Sequence, residues 1–97
     1  TEFGRTVRQN ASGGTDHGKA SAWFLVGGSV KGGVYKGAAG WPSSLTEANL
    51  DEGRYIRPTV EFRDIFADVL VKHFGASTSE LGAVLPGHAH TPVGLFV

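Results

Sequence analysis

Val60-Glu61-Phe62-Arg63-Asp64-Ile65-Phe66-Ala67-Asp68-Val69-Leu70-Val71-Lys72-His73-Phe74 carries the clearest structural signal in the chain. Phe62, Ile65, Phe66, Val69, Leu70 and Phe74 follow one another at steps of 3, 1, 3, 1 and 4, which is one stripe of a 3.6-residue helix. The pattern predicts a helix over 60–74 with Glu61, Arg63, Asp64, Asp68 and Lys72 on its solvated face. Thr59 is placed to cap its start, Asp68 and Lys72 form an i, i+4 pair, and Gly75 is suited to a left-handed stop. His73 lies in the last turn, where its cationic form favours the C-terminal carbonyls. Burying the stripe is worth roughly 1.5–3 kcal/mol per side chain, so the helix needs a sheet to lie on.

Working outward, Ser21 to Val30 is an apolar and aromatic run closed by glycines, the pattern of a strand buried on both faces. Lys31-Gly32-Gly33 is expected to turn into a short second strand at Val34-Tyr35-Lys36-Gly37, making a hairpin. Residues 1–20 keep no regular period and are expected to form a long loop, with Thr1 to Phe3 as the end of a strand. Gly40 to Gly53 is also loop, with one helical turn between Leu45 and Leu50, and Arg54 to Arg57 is a short strand. After Gly75 a polar stretch to Glu80 leads into Leu85-Pro86-Gly87. The apolar end, Val93 to Val97, suits a short edge strand or a strap across the helix. The fold class that follows is α/β, with a few short strands and one clear amphipathic helix.

Composition removes several functions. Nine Lys and Arg against nine Asp and Glu leave zero formal charge in 97 residues, so no excess positive field exists to condense on nucleic acid or an anionic bilayer. The longest apolar run, Ala22 to Val26, falls far short of the roughly 20 residues that span a membrane. The start of the chain has no signal-peptide pattern. Without cysteine there is no disulfide, thiolate or zinc–sulfur chemistry. Methionine is also absent, even at position 1, and 15 glycines raise the entropic cost of folding so small a core. These features lead to the expectation that 1–97 is a single fragment, the C-terminal part of a larger domain.

The sharpest candidate chemistry is Glu2, Asp16 and His17, whose carboxylates and imidazole suit a divalent cation such as zinc, manganese, magnesium or calcium. Gly13, Gly14 and Gly18 let the backbone turn tightly around Asp16-His17. The competing reading has Asp16 capping its local turn and His17 facing water. Arg5 and Arg8 share this loop and are candidates to hold an anionic group through bidentate contacts, the competing reading being a solvated or salt-bridged surface role. His88 and His90 alternate along an extended segment, which is a recurring metal-pair spacing, but beside Pro92 a solvated loop is expected. Gly27-Gly28 and Gly32-Gly33 lack the dinucleotide-binding order. No nucleophile elbow occurs, so any nucleophile is expected upstream of Thr1.

Thr1-Glu2-Phe3-Gly4-Arg5-Thr6, Gly13-Gly14-Thr15-Asp16-His17-Gly18 and Leu25-Val26-Gly27-Gly28-Ser29-Val30-Lys31-Gly32-Gly33 resemble the C-terminal part of the bacterial family catalogued as domain of unknown function 1501. Phe62 to Leu70, Leu85-Pro86-Gly87 and Leu95-Phe96 agree with it. That family in turn resembles the alkaline phosphatase and sulfatase superfamily, which implies the C-terminal portion of an alkaline-phosphatase-like sheet-and-helix fold. The resemblance places Glu2 at a carboxylate ligand position and His17 where a later His or Lys ligand stands, with Asp16 beside it. It implies an exported, periplasmic, metal-binding hydrolase-like protein that acts on a small anionic phosphate or sulfate ester, with Arg5 steadying the anionic group. Completing the domain takes the N-terminal part of the same fold. Phe3 stands where those hydrolases carry an imidazole. It speaks for a rival, a non-catalytic relative with a decayed metal site used for binding or surface assembly.

Overall fold

The computed structural model describes residues 4–97. Two compact units divide the chain, one of Thr1–Phe24 with Ala38–Thr59 and one of Leu25–Gly37 with Val60–Val97.

In the first unit, strand β1 (Gly4–Arg5) pairs antiparallel with strand β2 (His17–Gly18), in the register Gly4 to Gly18 and Arg5 to His17. The strand end expected at Thr1 to Phe3 lies outside the described residues, and the part of the expected loop from Gly4 on closes into a hairpin. Its cause is steric as much as hydrophobic. A Cβ at Gly18 would lie 2.7–2.9 Å from the backbone of Arg5, and one at Gly4 would collide with the carbonyl of Ala20. Only glycine lets these backbones approach so closely. Thr6 extends the pairing to Tyr55, and the Val7 amide donates to the Arg54 carbonyl at 3.2 Å. The expected strand at 54–57 is thus reduced to single bridges. A tight turn at Asp51–Tyr55 has Glu52 and Gly53 both at positive φ. The helical turn expected between Leu45 and Leu50 is a 3-10 turn at Glu47–Asn49, closed by buried Leu50.

The second unit is built on helix α1 (Phe62–Lys72) and helix α2 (Thr78–Val84). α1 starts two residues later than the spacing indicates. Its N-cap is Glu61, not Thr59: the Glu61 carboxylate accepts the Arg63 amide at 3.2 Å and also binds the Arg63 guanidinium. The Arg63 side chain and then its amide hold the Glu61 carboxyl down at about 2. Gly75 is left-handed as expected, and the Ala76 amide closes on the Leu70 carbonyl at 3.0 Å.

α2 has no counterpart in the sequence reading. The polar stretch before it is its capping box: the Ser77 hydroxyl accepts the Glu80 amide while the Glu80 carboxylate accepts the Ser77 amide at 2.8 Å. That carboxyl is held below its ordinary value by the Ser77 hydroxyl and amide. Ser77→Ala is expected to cost about 1 kcal/mol in thermal unfolding. Capping by Glu80 is present above the ordinary Glu range and fades as the pH falls through the lowered value.

Two further expectations are corrected. The run 21–30 forms no strand: Phe24 is 91 % and Val26 93 % exposed, and only Val30 bridges, to Phe96. A doubly buried strand needs neighbours on both sides, and among the described residues no strand flanks it. The second strand at 34–37 and its hairpin are likewise absent, and the turn falls at Gly27–Val30 instead. The burial of α1 is also rotated from the expected face. Phe62, Phe66 and Phe74 of the apolar stripe are 51 %, 45 % and 71 % exposed, while Ala67 and Asp68 are buried. Phe62 and Phe66 meet edge to face at 5.9 Å.

Candidate functional site

Of the expected metal ligands, Glu2 lies outside the described residues, and Asp16 and His17 lie at the returning end of the β1–β2 hairpin. The loop that brings them there is organised by Asn10. Its side-chain oxygen accepts the amides of Ser12 and Gly14, each at 3.0 Å, and its side-chain nitrogen donates to the Asp16 carboxylate at 3.0 Å. Buried Thr6 anchors the base of the loop, accepting the Asp16 amide on its hydroxyl at 3.1 Å and donating its own amide to the Asp16 carbonyl. Gly13 turns at positive φ, as tight turning here requires.

Arg5 is the cross-strand partner of His17, so the guanidinium and the imidazole share one face of the hairpin. The Arg5 guanidinium also donates to the Thr15 carbonyl at 2.9 Å, holding it at the mouth of the loop. Asp16 is committed differently. Its second carboxylate oxygen meets the Arg54 guanidinium at 3.2 Å, an exposed ion pair. Arg8 has moved into another pair, with Glu47 at 2.7 Å. Beside them Lys19 bridges Asp51 and Glu52, both at 2.7 Å. Those bonds raise its pKa and lower that of Asp51. Among the described residues, no three His, Asp or Glu side chains converge as they would around a metal ion.

The second unit holds a constellation that the sequence reading placed in solvent. His88 Nε2 lies 2.8 Å from Asp64 Oδ1, and His90 Nε2 lies 2.8 Å from Asp68 Oδ1. An ionised carboxylate only accepts, so each imidazole carries its proton on Nε2 and donates it. The other Asp68 oxygen accepts the backbone amides of Val93, Gly94 and Leu95 at 3.1, 2.9 and 3.3 Å, and Asp64 also accepts the Thr91 amide at 2.8 Å. The expected pairing of Asp68 with Lys72 is therefore replaced by a buried anion nest, with the Asp68 side chain only 2 % exposed. Burial pushes the Asp64 carboxyl up, but the Thr91 amide and His88 outweigh it, so the group sits below its ordinary value.

His88 and His90 are thus corrected from a solvated loop to half-buried partners of the helix. Asp64 and Asp68 are corrected from its solvated face to its covered face. One signal was legible beforehand. Residues two apart in an extended segment are about 6.6 Å apart, close to the roughly 6 Å between residues four apart on a helix. His-x-His against Asp-x-x-x-Asp is therefore a matched pair of rulers.

Among the described residues no helix is long and apolar enough to cross a membrane. No curated protein and no solved structure matches the chain. The family model described as "Protein of unknown function (DUF1501)" matches residues 1–83, and on that coverage the chain belongs to the DUF1501 family.

Proposed function

We propose that this chain is the C-terminal part of an exported sulfatase- or phosphatase-like protein, and that the 4–18 hairpin is its contribution to a site for small anionic esters. The observation that carries this reading is the register of the hairpin, which places Arg5 and His17 on one face at the mouth of an ordered loop. A guanidinium beside an imidazole suits a phosphoryl or sulfuryl group, with the fork of Arg5 binding two of its oxygens. The donor types of Glu2, Asp16 and His17 fit a divalent cation. When bound, such an ion polarises the ester oxygen. Asp16 would serve such an ion only by giving up its pair with Arg54.

The Asp16–Arg54 pair also supports a second reading, the non-catalytic relative. In it, Arg54 permanently neutralises the carboxylate and the hairpin binds anions without hydrolysing them.

Elemental analysis of the purified full-length protein, together with phosphate- and sulfate-ester hydrolysis, separates the two. The hydrolase reading expects retained divalent metal, a fall in turnover of about 100-fold in His17→Ala and a raised KM in Arg5→Ala. Retained metal with hydrolysis unchanged in His17→Ala removes that imidazole from the site. Sulfate or phosphate binding without metal or turnover establishes the non-catalytic relative.

A further inference from the structure

We propose that residues 88–97 are a latch on α1, keyed by the carboxylates of Asp64 and Asp68 and released from the helix when their charge is removed. The hydrogen bonds that run from this segment to α1 end on those two side chains: two imidazoles and the amides of Thr91, Val93, Gly94 and Leu95. No helix backbone group takes part in them, so the hydrogen-bonded attachment to α1 has one chemical key, beside the apolar anchor of buried Leu95. The spacing match between 88/90 and 64/68 sets the register, and the three-amide cradle on Asp68 fixes the depth.

The segment is tied at both ends. Pro86-Gly87 forms the turn that starts it, with the His88 amide on the Leu85 carbonyl at 3.2 Å and Gly87 at positive φ. At its far end the Lys31 amide holds the Leu95 carbonyl at 2.8 Å and the Val97 amide holds the Ser29 carbonyl at 3.1 Å. The Tyr35 hydroxyl touches the Gly94 carbonyl at 3.4 Å. Release uncovers the Ala67–Asp68 face of α1.

Acid acts on the carboxylates themselves. The ionisable groups that face the two aspartates are His88 and His90 from the latch and Arg63 on α1. Glu61 faces His88, and Tyr35 and Lys31 lie along the latch's other edge. Once the carboxyls are neutral, each imidazole N–H donates to an acceptor that has lost its charge. The amide cradle meanwhile surrounds a group with less charge to receive it. A carboxyl whose folded value is depressed gives stability that is complete above its unfolded value and is lost as pH falls through the folded one. The Asp64 key therefore holds through neutral and mildly acid solution and is lost below the ordinary carboxylate range.

Amide hydrogen exchange on the full chain, corrected for intrinsic rates, tests this near neutral pH and at about pH 3. The Thr91, Val93, Gly94 and Leu95 amides are expected to lose at least about tenfold more protection in acid than the amides within α1. Asp68→Asn should reproduce that difference at neutral pH. Parallel loss in the latch and in α1 at every pH overturns the proposal, as does full latch protection in Asp68→Asn. If that variant does not fold, His90→Ala keeps the carboxylate and its amides but removes one bond to the charged form. Its latch amides should exchange faster than in the wild type at neutral pH while those within α1 do not, and unchanged latch exchange overturns the proposal.

Discussion

Asp68→Ala is expected to destabilise the protein by about 3–5 kcal/mol, a large part of the stability of a domain this size. The side chain is only 2 % exposed and serves His90 and three backbone amides, one of them on buried Leu95. Removing it leaves those donors in a covered site without an acceptor, and each unsatisfied group costs about 1–3 kcal/mol. Asp64 is more open and accepts two donors, so Asp64→Ala should cost less, about 1–2 kcal/mol. Lys72→Ala should be nearly neutral, because Asp68 does not depend on it. Urea unfolding of the three variants checks the ranking. A loss below about 1 kcal/mol in Asp68→Ala would show that the nest contributes little.

The second large effect is expected at Gly4. In Gly4→Ala the new methyl is driven into the carbonyl of Ala20. A backbone atom cannot rotate aside as a side chain does, so the strands must part. We expect a loss of about 2–3 kcal/mol or more and faster amide exchange at Thr6, whose amide donates to the Asp16 carbonyl. Gly14→Ala is the control. Its Cβ meets only the Asn10 side-chain oxygen at 3.9 Å, and Gly14 is not at positive φ. Stability should be close to wild type there. Because Gly4 and Gly18 hold Arg5 opposite His17, Gly4→Ala should also weaken anion binding at the hairpin, which sulfate titration can measure. Equal stability of the Gly4 and Gly14 variants would show that the close approach is not required.

Local rules carried parts of this structure. The helix over 62–72, its glycine stop and a turn of helix near 47–49 follow from periodicity and turn chemistry that act within a few residues. The Ser77–Glu80 capping box is equally local, and its Ser-x-x-Glu spacing stood in the sequence unread. The apolar run at 21–30 misled because a hydrophobic strand is defined by its neighbours, which local pattern does not supply. The candidate hairpin site was legible in its residue types, while the Asp16–Arg54 pair joins positions 38 apart and was not.

What the amino-acid order determined by itself is where α1 runs, where it stops and which residue types face each way around it. Only the tertiary structure decided which face is covered, because a carboxylate is solvated or buried according to whether other segments bring enough donors to replace water. Here His88, His90 and four backbone amides arrive from more than 20 residues away and make the aspartate face the inside of the helix.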